Sequence, residues 1–283
     1  MRLLLPLTLL LSLLVAAPLY AAEERIVSLN GDITEIIFGL GLGEYVVAVD
    51  ASSNYPAEVL SLPNLGYQGN LNAEAILAFQ PTKVLASPSA GPKEVLEQVM
   101  AAGVEVIIID NDGTINAPVD NIRTVAALLG VPEKGEQLAQ AVQAKIDAAV
   151  ERGRQLDPKP RVLFLYLGST RFQFGGGAGT PSNAMIEAAG AIDAGKAVGL
   201  VGYQPITAEV VVAAQPDVVI VTERGLNVLG SIEGVINGVP GLALTPAGQK
   251  GHILVFEDLY FIGMGPRTGD ALLELVEALE RLQ

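Results

Sequence analysis

Two tyrosines occupy matching positions in the chain and are the side chains best suited to chemistry. Tyr67 and Tyr203 each stand in a Gly-Tyr-Gln turn shortly before a predicted helix. A deprotonated phenol is a hard oxygen ligand that binds ferric iron, as tyrosine does in some haem proteins. Loop tyrosines also serve as amphipathic packing residues with a solvated hydroxyl. The residues by themselves leave both interpretations open for this pair.

The chain offers few other groups that could hold a metal or attack a substrate. It contains no Cys and a single His, His252. These counts exclude a disulfide, a Cys-ligated zinc site, an iron–sulfur cluster, a lipid-attachment cysteine and a two-histidine metal site. Because His252 lies at the start of an apolar segment, a structural role is favoured for it over a catalytic one.

Two glutamates also occupy equivalent positions. Glu74 and Glu209 each fall in the first turn of a predicted helix that starts with Ala-Glu. A carboxylate there stabilises the positive end of the helix dipole and needs no further role. Two matching surface carboxylates could instead dock a two-fold symmetric partner through arginine pockets.

Three further segments could contact a ligand. Gly91 and Lys93 lie where a loop enters a helix, and such a cation can hold a carboxylate or phosphate. Met264 and Arg267 lie in a turn whose glycines permit close approach of a ligand, with Arg267 offering a cationic fork. The glycines of 174–180 lack the spacing of a phosphate-binding loop, and we interpret them as a flexible lining of a cleft.

An internal repeat positions these side chains. Residues 72–85 align without gaps with residues 207–220, at an offset of 135. The two Gly-Tyr-Gln turns are offset by 136, as are Arg25 and Arg161. Self-similarity of this kind indicates two structural units with the same topology.

Apolar strands alternate with helices in both units, which is typical of βαβ units and parallel sheets. The strand predicted at 104–109 is so uniformly apolar that we expect both of its faces to be buried. A helical stretch over 133–156 carries an apolar stripe. We therefore predict an α/β fold of two Rossmann-like lobes with parallel sheets, joined by a single long helix, with a ligand cleft between the lobes.

The chain is expected to divide into four segments. Residues 1–22 combine a basic start, a short apolar run and small residues before two glutamates, as a secretory signal peptide does. The apolar run is short for a membrane-spanning helix, so we expect cleavage, a periplasmic location and no stable membrane insertion. The N-terminal lobe would cover 23–130, the linking helix 131–158 and the C-terminal lobe 159–283.

Charge and composition exclude other classes of protein. The formal net charge is −14, whereas sequence-independent nucleic-acid binding needs a basic face. Half of the residues are apolar and only 17% are charged, so a folded core is expected rather than disorder. A location outside the cytoplasm also disfavours an enzyme that depends on cytosolic cofactors.

A set of short segments recurs in one known family: Arg25-Ile-Val-Ser-Leu, Thr34-Glu35, Val49-Asp-Ala-Ser-Ser-Asn-Tyr-Pro56, Leu62-Pro-Asn-Leu-Gly-Tyr67, Leu71-Asn-Ala-Glu74, Ala90-Gly-Pro92 and Gly263-Met-Gly-Pro-Arg267. Through these segments the mature chain resembles, along its whole length, the periplasmic haem-binding proteins of bacterial ABC haem importers. That family lies within a helix-linked group of binding proteins that also serves cobalamin and ferric siderophores.

The resemblance implies that Tyr67 is the axial ligand of the iron of haem, the transported ligand, and that Arg267 is a cation near the phenolate or a propionate. It also implies that Glu74 and Glu209 dock onto a dimeric permease. Some relatives carry a second-lobe histidine ligand, which this chain lacks. Tyr203 is therefore expected either to take the opposite axial position or to ligate a second haem.

Arg171 and Lys93 are further candidates for the propionates. One alternative within the same transporter class is a cobalamin or siderophore carrier, for which Tyr67 would be a stacking surface. Another is an extracytoplasmic hydrolase that uses carboxylates such as Glu35 and Asp50. Since no nucleophile motif accompanies those carboxylates, we expect no enzymatic activity.

Overall fold

The computed structural model of the protein describes residues 24–169 and 173–282. The predicted signal peptide (1–22) and Arg171 lie outside these residues. Over the two described ranges, no helix combines the length and the apolar character needed to cross a membrane.

The described residues form ten strands and thirteen α-helices. The first unit and the linking helix contain β1 (Ile26–Leu29), α1 (Gly31–Gly39), β2 (Val46–Val49), α2 (Ala73–Leu77), β3 (Lys83–Ala86), α3 (Lys93–Ala101), β4 (Glu105–Ile108), α4 (Ala117–Leu128) and α5 (Pro132–Gly153). The second unit contains β5 (Arg161–Leu167), β6 (Gln173–Gly176), α6 (Pro181–Ala188), β7 (Ile192–Asp193), α7 (Ala194–Ala197), β8 (Tyr203–Pro205), α8 (Ala208–Ala214), β9 (Val218–Thr222), α9 (Glu223–Leu229), α10 (Ile232–Gly238), α11 (Pro246–Lys250), β10 (Ile253–Phe256), α12 (Asp258–Ile262) and α13 (Thr268–Arg281).

The first sheet has the order β2-β1-β3-β4, and all its strand pairs are parallel. The apolar strand β4 lies at one edge of this sheet. Its first residue, Glu105, is exposed, and its last, Ile108, is 49% exposed. The expectation that both faces of 104–109 are buried is therefore wrong, because an apolar run does not report where a strand lies within a sheet.

The second sheet has the order β10-β9-β5-β6-β8, with β7 paired to β5. Strands β5, β9 and β10 are parallel, whereas β6 is antiparallel to both β5 and β8. The second sheet is thus mixed rather than wholly parallel. Part of the segment expected as a flexible lining forms β6, and a Cβ on Gly175 would lie only 2.8 Å from Ile206. Close packing, not flexibility, explains the glycine there.

Helix α5 joins the two lobes and packs against α4 and α13. A Cβ on Gly135 would lie 2.2 Å from the Cβ of Ala126 in α4. One on Gly269 of α13 would lie 2.5 Å from the Cβ of Lys145 in α5. These glycines allow the helix backbones to approach closely. One buried apolar cluster runs from β1 through α5 to β5 and α13, so the predicted two-lobed α/β fold with a single long connecting helix is confirmed.

The repeat extends to individual hydrogen bonds. The guanidinium of Arg25 donates to the carbonyl of Phe79, just after α2, with Nη2 at 2.8 Å. The guanidinium of Arg161 donates to the carbonyl of Ala214, at the end of α8, with Nη2 at 2.7 Å. In both lobes an arginine at the start of the first strand thus satisfies a carbonyl at a helix C-terminus.

Candidate ligand-binding site

The carboxyl edges of the two sheets face each other at the boundary between the lobes. Asn54, which follows β2, donates from Nδ2 to Oε1 of Glu257, which follows β10, at 2.9 Å. Asn111, which follows β4, donates to the carbonyl of Gly263 at 3.4 Å. Open α/β sheets bind ligands beyond the carboxyl ends of their strands, so this boundary is the candidate site.

Tyr67 stands on the first lobe's side of this boundary, and 70% of its surface is exposed. The residue before it, Gly66, has a φ of 82°, a conformation that glycine adopts without strain. The Gly66 carbonyl accepts a bond from the N–H of Ala51 at 2.8 Å, and the Tyr67 carbonyl accepts one from Asn70 at 2.9 Å. An exposed phenol therefore sits on a turn whose backbone is fixed.

Gln68 attaches the Tyr67 turn to the ends of two strands. Its Oε1 accepts from the hydroxyl of Ser87, after β3, at 2.8 Å, and its Nε2 donates to Asn30, after β1, at 3.3 Å. Its carbonyl accepts from the N–H of Gly91 at 2.8 Å. Of the predicted ligand contacts, Gly91 therefore lies beside Tyr67.

A largely apolar pocket of about 310 Å³ lies on the second lobe's side, at the low end of the range for small-molecule sites. It is lined by Tyr166, Phe174, Tyr203 and Ile262. The ring of Phe164 packs against Tyr203 with 6.1 Å between centroids. These side chains offer aromatic and aliphatic walls to a flat apolar ligand.

The environment of Tyr203 differs from that of Tyr67. Tyr203 lies in β8 and is 40% exposed, but its hydroxyl bonds to Ser182, which is fully buried. Burial raises the pKa of Tyr203 to about 12, and the bond to Ser182 opposes this only in part. The phenolate is therefore disfavoured here. Within β8, Tyr203 pairs with Gly176 of β6, whereas Tyr67 lies in no strand.

Arg267 joins the two lobes. Its Nε donates to Oε1 of Glu35 at 3.0 Å, and its Nη2 contacts the same oxygen. Its guanidinium also stacks on Tyr55, 3.8 Å from the ring centroid. Burial raises the pKa of Glu35, and the hydrogen bond from Arg267 opposes that rise. The charge of Arg267 is thus compensated within the protein, and a ligand contact by this residue stays a prediction.

Two of the remaining predicted ligand contacts, Met264 and Lys93, are not among the residues that line the pocket. Met264 is 1% exposed and belongs to the main apolar core. Lys93 is almost fully solvated and forms an ion pair with Glu97 of its own helix at 3.0 Å. Arg171 lies outside the described residues.

The two carboxylates considered for a hydrolase serve the fold. Glu35 pairs with Arg267, as described above. Asp50 accepts bonds from the hydroxyls of Ser52 at 2.7 Å and Ser53 at 2.9 Å. Both carboxylates are held by partners within the protein rather than presented to a substrate.

The two symmetric glutamates are exposed in the first turns of α2 and α8. Both helices have side-chain N-caps. Asn72 accepts from the N–H of Ala75 at 3.0 Å, and Thr207 accepts from that of Val210 at 3.3 Å. Since the caps already satisfy the helix ends, the carboxylates of Glu74 and Glu209 are available to solvent.

Sequence reasoning missed Tyr166, Ile262 and Arg224. Nη1 of Arg224 lies 3.4 Å from the hydroxyl of Tyr166, a lining residue of the pocket. Arg224 comes two residues after β9, and Tyr166 is close to the end of β5. Their position at the carboxyl ends of parallel strands is the signal that could have found them.

Comparison with known proteins shows which solved structures this chain resembles. The solved periplasmic haem-binding protein RhuT from Roseiflexus sp. RS-1 is 49% identical, with a TM-score of 0.89 over 92% of this chain and 99% of that one. The periplasmic haem-binding protein BhuT, solved in complex with two haems, is 33% identical, with a TM-score of 0.86 over 92% of this chain and 98% of that one.

A relative found by sequence carries a different name. The vitamin B12-binding protein of Vibrio parahaemolyticus is 26% identical over 271 residues, which cover 92% of this chain and 90% of that protein. These relatives are binding proteins, not enzymes. Residues 26–258 match the model of the periplasmic binding protein family. The chain therefore belongs to the periplasmic binding protein family.

Proposed function

We propose that this protein is a periplasmic haem carrier that binds ferric haem through the Tyr67 phenolate and delivers it to an ABC-transporter permease. The observation that carries the proposal is the exposed Tyr67 phenol on its fixed turn at the lobe boundary. The similarity to solved haem-binding proteins supports haem as the cargo. The predicted signal peptide (1–22) would deliver the chain to the periplasm.

The chemistry of each group fits this cargo. A phenolate is a hard ligand that prefers ferric iron, so reduction or protonation of the phenol would loosen the bond. The pocket walls of Tyr166 and Phe174 would pack against the porphyrin, and burial of that apolar surface supplies affinity. We propose that Tyr203 stays protonated and forms a wall of the pocket. The alternatives are that Tyr203 takes the axial position opposite Tyr67 or that it ligates a second haem.

Paired substitutions test the ligand. Since loss of groups behind a metal ligand typically costs 10- to 100-fold in affinity, Tyr67→Phe, which removes the ligand itself, should weaken haemin binding by about 100-fold or more. The phenolate-to-iron charge-transfer band should vanish with it. Tyr203→Phe should retain the band and the stoichiometry. An unchanged band in Tyr67→Phe would sink the proposal, and loss of the band in Tyr203→Phe would assign ligation to Tyr203.

Cobalamin is a second candidate cargo, because several relatives found by sequence, including those of two Vibrio species, are named vitamin B12-binding proteins. Tyr67 would then be a stacking surface, and Tyr67→Phe would preserve binding. Titrating haemin and cyanocobalamin separately into the same preparation distinguishes the two. Tight binding of cyanocobalamin that is insensitive to Tyr67→Phe would replace the haem proposal.

We propose that Glu74 and Glu209 form the docking points for the permease. Both are exposed and occupy equivalent turns of α2 and α8, so they present one carboxylate on each lobe. A two-fold symmetric partner would offer two equivalent basic pockets to such a pair.

A further inference from the structure

We propose that Arg224 anchors a carboxylate of the ligand at the mouth of the second-lobe pocket. The inference rests on the proposed haem-carrier function, because haem brings two propionates to any site that encloses its porphyrin. It gives Arg224 the propionate-binding role for which the sequence analysis names Arg267, Arg171 and Lys93.

Arg224 lies at the rim of the second-lobe pocket. The residue is exposed, and its Nη1 lies 3.4 Å from the hydroxyl of Tyr166, which lines the pocket. The backbone N–H of Arg224 donates to the carboxyl of Asp258, which the side chain of Thr222 also bonds. The segment after β9 is therefore held at its backbone, while the guanidinium reaches the rim of the pocket.

The cations near the site differ in whether a carboxylate of the protein pairs with them. Arg267 is neutralised by Glu35, and Lys93 is paired with Glu97. Among the described residues, by contrast, Arg224 forms no salt bridge: its side chain contacts the Tyr166 hydroxyl, and the carboxylate of Asp258 attracts it without direct side-chain pairing. A guanidinium has five donors, so most of those of Arg224 are available to a ligand.

The carboxylates of haem need a partner outside the apolar pocket. A porphyrin packed against apolar walls places its carboxylates at the pocket mouth, where they need a cation or water. The chain holds 31 acidic and 17 basic residues, so its overall field repels an anionic ligand. Arginine binds a carboxylate through two parallel hydrogen bonds, and a local arginine would overcome that repulsion.

A ligand without free carboxylates provides the test. We would titrate haemin and haemin dimethyl ester, in one detergent-containing buffer, into the wild-type protein and Arg224→Gln. Arg224→Gln should weaken haemin binding by about 10- to 100-fold, because it removes a charge-assisted hydrogen bond to a propionate. Affinity for the diester should not change. Arg224→Lys, which keeps the charge but loses the fork, should fall between wild type and Arg224→Gln for haemin.

Arg154→Gln is the matched control for net charge. Arg154 is an exposed arginine that pairs with Glu151 at 2.7 Å, remote from the carboxyl edges. Its substitution should leave both affinities unchanged, and circular dichroism checks that every variant is folded. An equal effect of Arg224→Gln on haemin and on the diester, or no effect on either, would overturn the anchor. Absence of Tyr67-dependent haemin binding in the wild-type chain would instead overturn the carrier function, and the anchor with it.

Discussion

The two Gly-Tyr-Gln tyrosines illustrate how neighbours decide the chemistry of one residue type. Both follow a glycine with positive φ, 82° at Gly66 and 67° at Gly202. Tyr67 projects into solvent, whereas the hydroxyl of Tyr203 is tied to the buried Ser182. Because ionising a phenol is costly when its oxygen is removed from water, these identical tripeptides support different roles.

A buried carboxyl at the same boundary makes stability depend on pH. Asp32 is 2% exposed, and burial raises its pKa to about 6 despite a hydrogen bond from Asn111 at 3.1 Å. Because the unfolded value is near 3.8, the folded state binds this proton more tightly than the unfolded state does. The free energy of unfolding should therefore fall as pH rises from about 4 to 6, by up to about 3 kcal/mol.

Asp32→Asn should remove that part of the pH dependence. Urea unfolding at pH 4.5 and pH 7 would show a smaller difference in the variant than in the wild-type chain. The exposed Asp110→Asn variant should keep the wild-type difference. Parallel pH profiles for Asp32→Asn and the wild type would show that Asp32 does not titrate as inferred.

Helices α2 and α8 are equivalent elements of the two lobes and end alike. After α2 and α8, Gln80 and Gln215 both adopt positive φ, 47° and 42°. The two helices are thus started by side-chain caps and ended by the same unusual backbone conformation. Equivalent ends place the first-turn carboxylates Glu74 and Glu209 in equivalent settings on the two lobes.

This equivalence predicts the outcome of a docking experiment. Glu74→Ala and Glu209→Ala should each weaken association with the permease by about tenfold or more, because each removes one charged contact. Haemin affinity should not change, since neither helix lines the pocket. Binding of haem-loaded protein to the permease in nanodiscs measures the effect. Glu94→Ala, in the first turn of α3, is the matched control, and an equal loss in that variant would contradict specific docking.

Elements with strong periodicity were well predicted, and elements defined by their neighbours were not. The sequence placed the long helix at 133–156, within a few residues of the observed Pro132–Gly153. It missed β6, because a run of glycines carries no hydrophobic pattern. It also predicted that both faces of β4 are buried, because an apolar run does not reveal the order of strands in a sheet. Both errors concern which partner a segment meets in space.

At the scale of the molecule, the lobes are joined by more than the long helix. The ion pair between Arg267 and Glu35, the stacking of Arg267 on Tyr55 and the bond from Asn54 to Glu257 all cross the boundary. These contacts and α5 resist wide hinge closure, so we expect ligand capture without large lobe rotation. The division into lobes at 23–130 and 159–283 around a linking segment at 131–158 remains our proposal.

Breaking the buried pair should destabilise the whole fold. Arg267→Leu leaves Glu35 as a buried, unpaired carboxylate, a change that typically costs about 3–5 kcal/mol. Since burial already raises the pKa of Glu35, protonation relieves part of this cost at low pH. The loss in unfolding free energy should therefore be larger at pH 8 than at pH 5.

Urea unfolding of a double variant checks the cause. Glu35→Gln in the Arg267→Leu background removes the uncompensated charge and should recover part of the lost stability. If the double variant is no more stable than Arg267→Leu, the cost comes from lost packing of the arginine rather than from the isolated carboxylate.

The sequence by itself determined the two-lobed α/β fold, its repeat and the scarcity of metal ligands, because periodicity, self-similarity and residue counts are properties of the chain alone. It also singled out Tyr67. Only the tertiary structure decided that the Tyr203 hydroxyl bonds to the buried Ser182, that Arg267 is occupied by Glu35 and that Arg224 contacts Tyr166 at the pocket. Charge compensation and burial depend on which side chains meet across the lobes, and those contacts join residues that are far apart in sequence.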